Sequence, residues 1–504
     1  MQLRPYQTAC VEQAAEILRT HRSTLIVMAT GLGKTVTIAE TIRRWPTGRV
    51  LFMAHRDELI RQACDKLQRI TGEPCDVEMG QEWADDDPLL AKSKVVVTSV
   101  QTMSRIRRMT RFKPEDFGLV VIDEAHRATA RSYREVIRYY QQNPDMKLVG
   151  LTATPDRTDG QAMGLVFDSV AFRYDILNAI DDGWLVPIEQ QFVWVKGMDL
   201  SKLKTVAGDF APEELAKIME QERICHEIAS STLQLSEGPT LLFTASVRQA
   251  EKTAEILNRH KPGSADWVCG ETPKDQRRDI LARFASGELQ YLANCAILTE
   301  GYDCPSLRTI VVARPTKSRS LYAQILGRAT RPLPNTVDRF DNPELRRKAI
   351  ACSTKTAAIV LDLVGNSGRH KLVSALDILG GNYDPIVVAR AIATSKRANR
   401  RADALEALRY AAEAQRIAEE ERKRRQAIIA HAMIGVVPVD PFTGSVERQK
   451  LISSPRHRQV FPASTMLFGY AAIQEQRKRE TNSTKATPKK ALIRAKRLIV
   501  AERK

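Results

Sequence analysis

Ala29-Thr-Gly-Leu-Gly-Lys-Thr35 and Asp123-Glu-Ala-His126 each stand directly behind an apolar run, Thr24-Leu-Ile-Val-Met28 and Gly118-Leu-Val-Val-Ile122. Continuous apolar runs of this kind read as strands buried on both faces. Such strands belong to parallel sheets covered by helices, which place their ligand sites at the strand C-termini. Behind the first strand, Gly31 and Gly33 let backbone N–H groups of Thr30 to Thr35 curl around phosphate where a helix begins. Lys34 is then placed to reach the β- and γ-phosphates, and the Thr35 hydroxyl to reach Mg²⁺. Behind the second strand, Asp123 is the metal-holding carboxylate and Glu124 the group that orients an attacking water. Met28 stands where the general P-loop pattern has Gly. The order strand, glycine loop, helix, with an acidic pair behind a second strand, still describes a nucleoside triphosphate site.

Strand-like runs recur at 24 to 28, 50 to 54, 95 to 100, 118 to 122 and 147 to 152, with helical stretches between them. A second series lies at 240 to 243, 267 to 269, 291 to 298, 309 to 312 and 357 to 361. Two tandem doubly wound α/β domains follow from this alternation, over residues 1–185 and 239–380. Residues 186–238 are mixed in character and read as a connection with a helical piece around Pro212 to Ser231. From 381 to 504 the composition shifts to Ala, Glu and Arg, and no Gly or Pro interrupts Ile386 to Ile434, so one long helix or two shorter ones are expected, followed by a partly disordered basic tail. Leu405, Leu408 and Ala412 begin a heptad seam that Gln415 and Glu419 break.

The charge is uneven. Of the formal net +17, residues 391–504 carry +14, from 25 Lys/Arg against 11 Asp/Glu. A polyanion-binding element is therefore expected at the C-terminus. Eight cysteines without a C-x-x-C pair suggest reduced thiols rather than a zinc site. Apolar runs are strand-sized and the N-terminus lacks the apolar core of a signal peptide, so no membrane association and a cytoplasmic location are expected, with the nucleoid as the setting in a bacterium or phage.

Gln324-Ile-Leu-Gly-Arg-Ala-Thr-Arg331 supplies what a lone phosphate loop lacks. Arg328 and Arg331 lie three apart on one predicted helix, and planar guanidinium groups can stabilise charge developing on a transferred phosphoryl group. Coming from the second domain, they would act only when the two domains close.

In order along residues 3 to 365, these segments resemble the motifs of superfamily 2 helicases and translocases, including the DEAH form at Asp123 to His126. The nearest resemblance is to RadD-like, type III restriction and XPB-like DNA helicases, and it runs through Ala313-Arg-Pro-Thr-Lys-Ser-Arg-Ser-Leu-Tyr322. It implies two RecA-like domains with ATP and Mg²⁺ between them. Gln7 in Leu3-Arg-Pro-Tyr-Gln7 would then read adenine. Thr30, Gly31, Leu32, Gly33, Lys34 and Thr35 would hold the phosphates, with further nucleotide contacts from Gly301, Asp303 and Gln324. His126, Thr152 and Thr154 would couple hydrolysis to domain movement. His55, Arg56, Thr98, Gln101 and Thr299 would grip the nucleic-acid backbone. RadD-like proteins carry a cysteine-rich region after the core, and the basic extension stands in its place here.

The expected function is an ATP-dependent DNA helicase or translocase acting on single-stranded, branched or duplex DNA, with RNA as a further candidate partner. Two alternatives share the motifs: the motor of a restriction or defence complex moving on duplex DNA, and an ATP-gated nucleic-acid clamp or annealing protein. No nuclease motif is evident. The retention of Lys34, Asp123, Glu124, Arg328 and Arg331 together argues against a clamp without turnover.

Overall fold

The computed structural model describes residues 3–54, 57–84, 93–153, 163–206, 208–299, 302–368 and 370–434. The first sheet comprises β1 (Ser23–Met28), β2 (Arg49–Ala54), β3 (Cys75–Glu78), β4 (Val95–Ser99), β5 (Phe117–Ile122), β6 (Lys147–Thr152) and β7 (Ser169–Tyr174). Its strand order is β3-β4-β2-β5-β6-β1-β7, with every pairing parallel. All six residues of β1 and of β2 are buried, as continuous apolar runs require. The edge strands β3 and β7 escape a reading of apolar runs because each is only half covered: Cys-Asp-Val-Glu has a single buried residue, and so does Ser-Val-Ala-Phe-Arg-Tyr.

The second sheet takes β8 (Ile188–Asp199), β11 (Thr240–Thr244), β12 (Ala265–Val268), β13 (Tyr291–Cys295), β14 (Thr309–Ala313), β15 (Ala358–Asn366) and β16 (Ala402–Asp403). Its order is β12-β13-β11-β14-β15-β8-β16, parallel except for β16. A hairpin of β9 (Thr205–Val206) and β10 (Asp209–Phe210) sits apart. β8 lies in the stretch expected to be a connection, yet it is a twelve-residue strand paired with β15. Its polar residues, Glu189, Gln190, Gln191 and Lys196, hide it from an apolar-run reading. Leu215, Met219, Ile224, Cys225 and Ile228 of the two following helices pack with Val193, Ile359 and Leu361, so this segment is part of the second domain's core.

The C-terminal extension is also part of that body at its start. Helix Pro385–Ala398, β16 and the first turns of helix Ala404–Ile434 bury Val387, Val388, Ala391, Leu405, Leu408 and Ala411. The compact unit runs from Met1 to Glu421. Beyond it, residues 422–434 complete the helix, and the basic clusters from Arg477 onward lie outside the described residues. No described helix is long and apolar enough to cross a membrane, and all eight cysteines are free thiols.

One apolar cluster covers a face of both sheets, joining Ile26, Val121 and Leu151 to Leu241, Val312 and Val360 through Trp184, Leu185 and Val186. Within it sits a buried carboxylate. The Tyr322 hydroxyl lies 2.7 Å from each Asp362 oxygen, and Gln190 donates its Nε2 to the same group. Asp362 on β15 thereby ties β8 to helix Arg319–Ala329. Burial drives the carboxyl up to about 7, against the opposing pull of Tyr322 and Gln190, with Asp377 raising it further and Lys396 lowering it.

A folded-state value above the ordinary ~3.9 means the native protein keeps a proton that the unfolded chain releases. The contribution of Asp362 is thus fully present below about pH 4 and is lost as pH rises through about 7. Asp362→Asn keeps the shape without the ionisation, and its amide can meet Gln190 Oε1, which has no hydrogen-bond partner. Relative to the wild type, this variant should gain thermal stability between pH 5 and pH 8. A Tm difference that stays constant across that range would refute the assignment.

Candidate active site

β5, β6 and β1 are neighbours, so the glycine loop after β1, Thr152 at the end of β6 and Asp123 after β5 all stand at one sheet edge. Gly31 and Gly33 have φ of 93° and 79°, and Gly33 caps the helix Lys34–Arg43. A side chain would strain either position. Lys34 Nζ donates to Met28 O at 3.4 Å, folded back on its own loop. The Thr30 hydroxyl oxygen is buried with no hydrogen-bond partner, and Thr35 is half-buried in the first turn of the helix.

Across from the loop, Asp123 Oδ1 accepts the Glu124 N–H at 3.0 Å. Glu124 itself adopts φ 52°, ψ 51°, a left-handed conformation for a residue with a side chain. Strain of ~1–3 kcal/mol of this kind concentrates at functional positions. Burial pushes the Glu124 carboxyl upward, but His126, Lys34 and Arg127 outweigh it and hold the group down at about 2. His126 Nδ1 lies 3.4 Å from Glu124 Oε2. Their alignment does not make a hydrogen bond, so both atoms are buried without a hydrogen-bond partner. Glu124 is therefore ionised, fixed, and left with an acceptor to offer.

The N-terminal segment braces the loop. Gln7 Nε2 and the Tyr6 hydroxyl donate to Leu32 O at 3.0 and 2.9 Å, and the Arg4 N–H donates to Gln7 Oε1 at 3.0 Å. Tyr6 stacks on Tyr174 with centroids 4.9 Å apart and meets Trp184 edge-on. Arg4 caps Trp184 and forms an ion pair with Asp338 of the second domain at 2.8 Å. Tyr6, Trp184 and Arg4 were not singled out from sequence; Tyr6 and Arg4 lie inside the segment that resembles the adenine-reading motif, and that was the available signal.

From the second domain, helix Arg319–Ala329 brings its C-terminal end onto the phosphate loop. A Cβ placed on Gly327 would lie 2.2 Å from Thr30 Cβ, and one on Gly31 would lie 3.4 Å from both Arg331 Cγ and Gly327 O. Arg331 forms an ion pair with Asp303. Burial, then the charge of Arg4, lowers its affinity for its proton. Lys66 is likewise lowered, by burial and then by Arg331 and Arg328. Arg331 is thus the cation that the second domain places against the loop.

Several expected contacts are placed differently. Arg328 is 8% exposed, and its Nε and Nη2 donate to Thr299 O while its Nη1 donates to Tyr302 O at 2.7 Å. In this conformation its guanidinium binds two carbonyls of its own domain. Thr98 is fully buried, and its hydroxyl donates to Glu78 O at 2.8 Å, so it serves the sheet rather than an external backbone. Thr299 is 4% exposed, and its carbonyl accepts from Arg328. Gln101 is exposed and remains a surface candidate, Thr152 is buried, and Gln324 is buried in the helix. His55, Arg56, Thr154 and Gly301 lie outside the described residues. Among the described residues no His, Cys, Asp and Glu cluster forms a ready metal cage.

Residues 1–157 match the family description "Type III restriction enzyme, res subunit", and residues 219–332 match "Helicase conserved C-terminal domain". The chain has the paired domains of the superfamily 2 helicases. It is 32% identical over 348 residues to "Putative ATP-dependent helicase IRC3" of Saccharomyces cerevisiae, matching 65% of this chain and 49% of that protein. The chain thus spans about half the length of that curated relative. Among solved structures, a fragment titled "putative HsdR subunit of a type I restriction enzyme" from Vibrio vulnificus aligns with TM-score 0.52 and 20% identity, over 74% of this chain and 70% of that one. The Type ISP restriction-modification enzyme LlaBIII aligns at 0.50 with 17% identity, over 72% of this chain and 28% of that one. At these identities the two structures establish a shared fold.

Gly327→Ala tests the interdomain seat, because the added methyl can be housed only by moving Thr30 or the helix. ATP turnover should fall by about 10²-fold, the scale of a ~1 Å misplacement, with the far-UV spectrum unchanged. Wild-type turnover would show that the two domains do not meet this way during catalysis.

Proposed function

We propose that this chain is an ATP-dependent DNA helicase or translocase in which hydrolysis occurs between the two sheets. The observation that carries the proposal is the seating of Gly327 and Arg331 against Thr30 and Gly31, which makes one composite site from groups of two domains. The glycine loop and Lys34 receive the phosphates, and Gln7, held by the Leu32 carbonyl, faces the base. Thr35 and Asp123 supply hydroxyl and carboxylate oxygens, the donors that Mg²⁺ prefers. Bound there, the ion would neutralise charge on the phosphates. Glu124 Oε2 accepts a hydrogen bond from the attacking water. Its neighbours hold Glu124 as an ionised carboxylate, and its role is to orient that water. Arg331 meets the charge that develops on the γ-phosphoryl group, while Arg328 acts through the Thr299–Tyr302 loop or by exchanging those carbonyls for phosphate.

Nucleic acid lying across both domains would favour the closed arrangement and so stimulate turnover. Contacts to the phosphate backbone suit a motor, since they can be remade at every step. DNA as the track is supported by the resemblance to DNA-directed groups and by LlaBIII, whose structure is titled as bound to DNA. The match of residues 1–157 to the type III restriction subunit favours one second reading, a motor on duplex DNA that serves a restriction or defence complex. ATPase rates measured in parallel with single-stranded, duplex and forked DNA and with RNA separate these readings. Stimulation by RNA alone would overturn the choice of DNA.

Lys34→Ala should weaken ATP binding by roughly 10- to 100-fold, the value of charge-assisted hydrogen bonds. Glu124→Gln should leave binding within about threefold and cut turnover by ~10² or more, because that group acts mainly in the transition state. Rapid hydrolysis by Glu124→Gln would remove the assigned role.

Arg331→Ala should lower nucleic-acid-stimulated turnover by about 10³-fold while ATP affinity stays within tenfold. Arg328→Lys should behave like Arg328→Ala, since an ammonium cannot span two carbonyls as the planar fork does. Full stimulated activity in Arg331→Ala would mean the composite site is misassigned.

A further inference from the structure

Trp83 lies in the loop after β3, at the C-terminal edge of the first sheet, and is 47% exposed. Large exposed aromatics are normally mobile or paired with another apolar surface, but Trp83 is built in. The Arg108 guanidinium carbon lies 3.2 Å from the ring centroid, with Arg111 at 5.2 Å and Arg107 at 5.8 Å. Arg108 is itself 6% exposed and is locked from the other side. It is paired with Glu78, a fully buried carboxylate, and donates to Glu82 O at 2.9 Å and Gly80 O at 2.6 Å. Arg111 donates to Glu78 at 2.8 Å and to Ala84 O at 2.6 Å, and the Ala84 N–H donates to Glu78 at 2.8 Å. The backbone on both sides of Trp83 is thus fastened to one buried ion cluster.

The surroundings are cationic. Arg105 and Arg107 are exposed and form no ion pair with a described residue, and Ile106 between them is 74% exposed. Three arginines, Arg107, Arg108 and Arg111, stand over the ring, and the glutamates beside it, Glu78 and Glu82, are already paired, with Arg108 and Arg111 and with Arg61. Asp85 to Asp87, which follow in sequence, lie outside the described residues. Gln101 is exposed in the short helix Val100–Met103, just before this group. A rigid, exposed indole beside exposed guanidinium groups that pair with no described residue has the chemistry of a base-stacking platform beside a phosphate track. Base–aromatic stacking tolerates any sequence, and the arginines supply the backbone attraction.

We propose that Trp83, with Arg107 beside it, is a stacking platform for an unpaired base of single-stranded nucleic acid at the outer edge of the first domain. The proposal rests on the nucleic-acid motor reading and adds a contact outside the motifs that define it. Because Arg108 and the buried Glu78 cluster hold the indole in place before binding, little ordering cost remains when a base arrives.

The test is equilibrium binding of a single-stranded oligonucleotide and of the same strand carrying abasic positions, with ATPase measured in the absence of nucleic acid. Trp83→Ala should weaken binding of the intact strand about tenfold and erase the preference for intact over abasic strand, while Trp83→Phe restores most of both. Arg107→Ala should weaken both strands alike and reduce the salt slope by about one. Unstimulated ATPase should not change in any variant. Trp83→Ala binding intact and abasic strands as the wild type does would overturn the platform and leave the patch free for a protein partner. If the wild-type chain bound neither strand, the motor reading itself would fail.

Discussion

The close approach of helix Arg319–Ala329 to the phosphate loop governs the rest of the structure. Gly327 has no Cβ, and a methyl there would fall 2.2 Å from Thr30 Cβ. That missing atom lets a helix from one sheet rest on the loop of another, bringing Arg331 over Gly31. The groups proposed for catalysis on the first sheet, Lys34, Asp123 and Glu124, would serve an ordinary phosphate site alone. In the proposed reading, the second sheet would make hydrolysis conditional on geometry, which is what a motor needs in order to couple turnover to movement.

Two buried carboxylates act as bolts on either side of this interface. Asp362 fastens the arginine-bearing helix to β8 through Tyr322 and Gln190. Glu78 fastens the loop carrying Trp83 through Arg108 and Arg111. Each is surrounded by donors, so the desolvation of the charge is offset by hydrogen bonds that specify one arrangement. They differ in state. Asp362 is held near neutrality by burial, whereas Glu78 faces two guanidinium groups. Glu124 is a third case: its backbone is strained and one oxygen has no hydrogen-bond partner. It is the carboxylate placed to work on a ligand rather than on the fold.

The C-terminal region shows how charge and packing can disagree. The composition from residue 381 onward reads as a basic appendage, but Val387, Val388, Ala391, Leu405 and Leu408 are buried against the second domain and β16 adds to its sheet. Arg409 also pairs with Asp181 of the first domain at 2.9 Å. Helices of this kind carry one apolar stripe among many charges, so averaged composition hides the face that docks.

The strands at 24 to 28, 50 to 54 and 118 to 122 were legible in the sequence because buried parallel strands must be continuously apolar, and the glycine loop because only glycine adopts φ near 90° without strain. Those features are local, and a local pattern is enough to specify them. β8 was not legible, since its run of polar residues, Glu189 to Gln191, is paired with β15 some 170 residues away. Nor was the placement of Arg328 on the Thr299 and Tyr302 carbonyls, the burial of Thr98, or the stacking of Arg108 on Trp83. The sequence by itself determined which buried strands deliver the glycine loop and the acidic pair to one sheet edge. The tertiary structure decided which arginine faces the loop and which aromatic faces solvent, because a side chain's partner is set by whatever distant segment the closed fold brings within hydrogen-bonding distance.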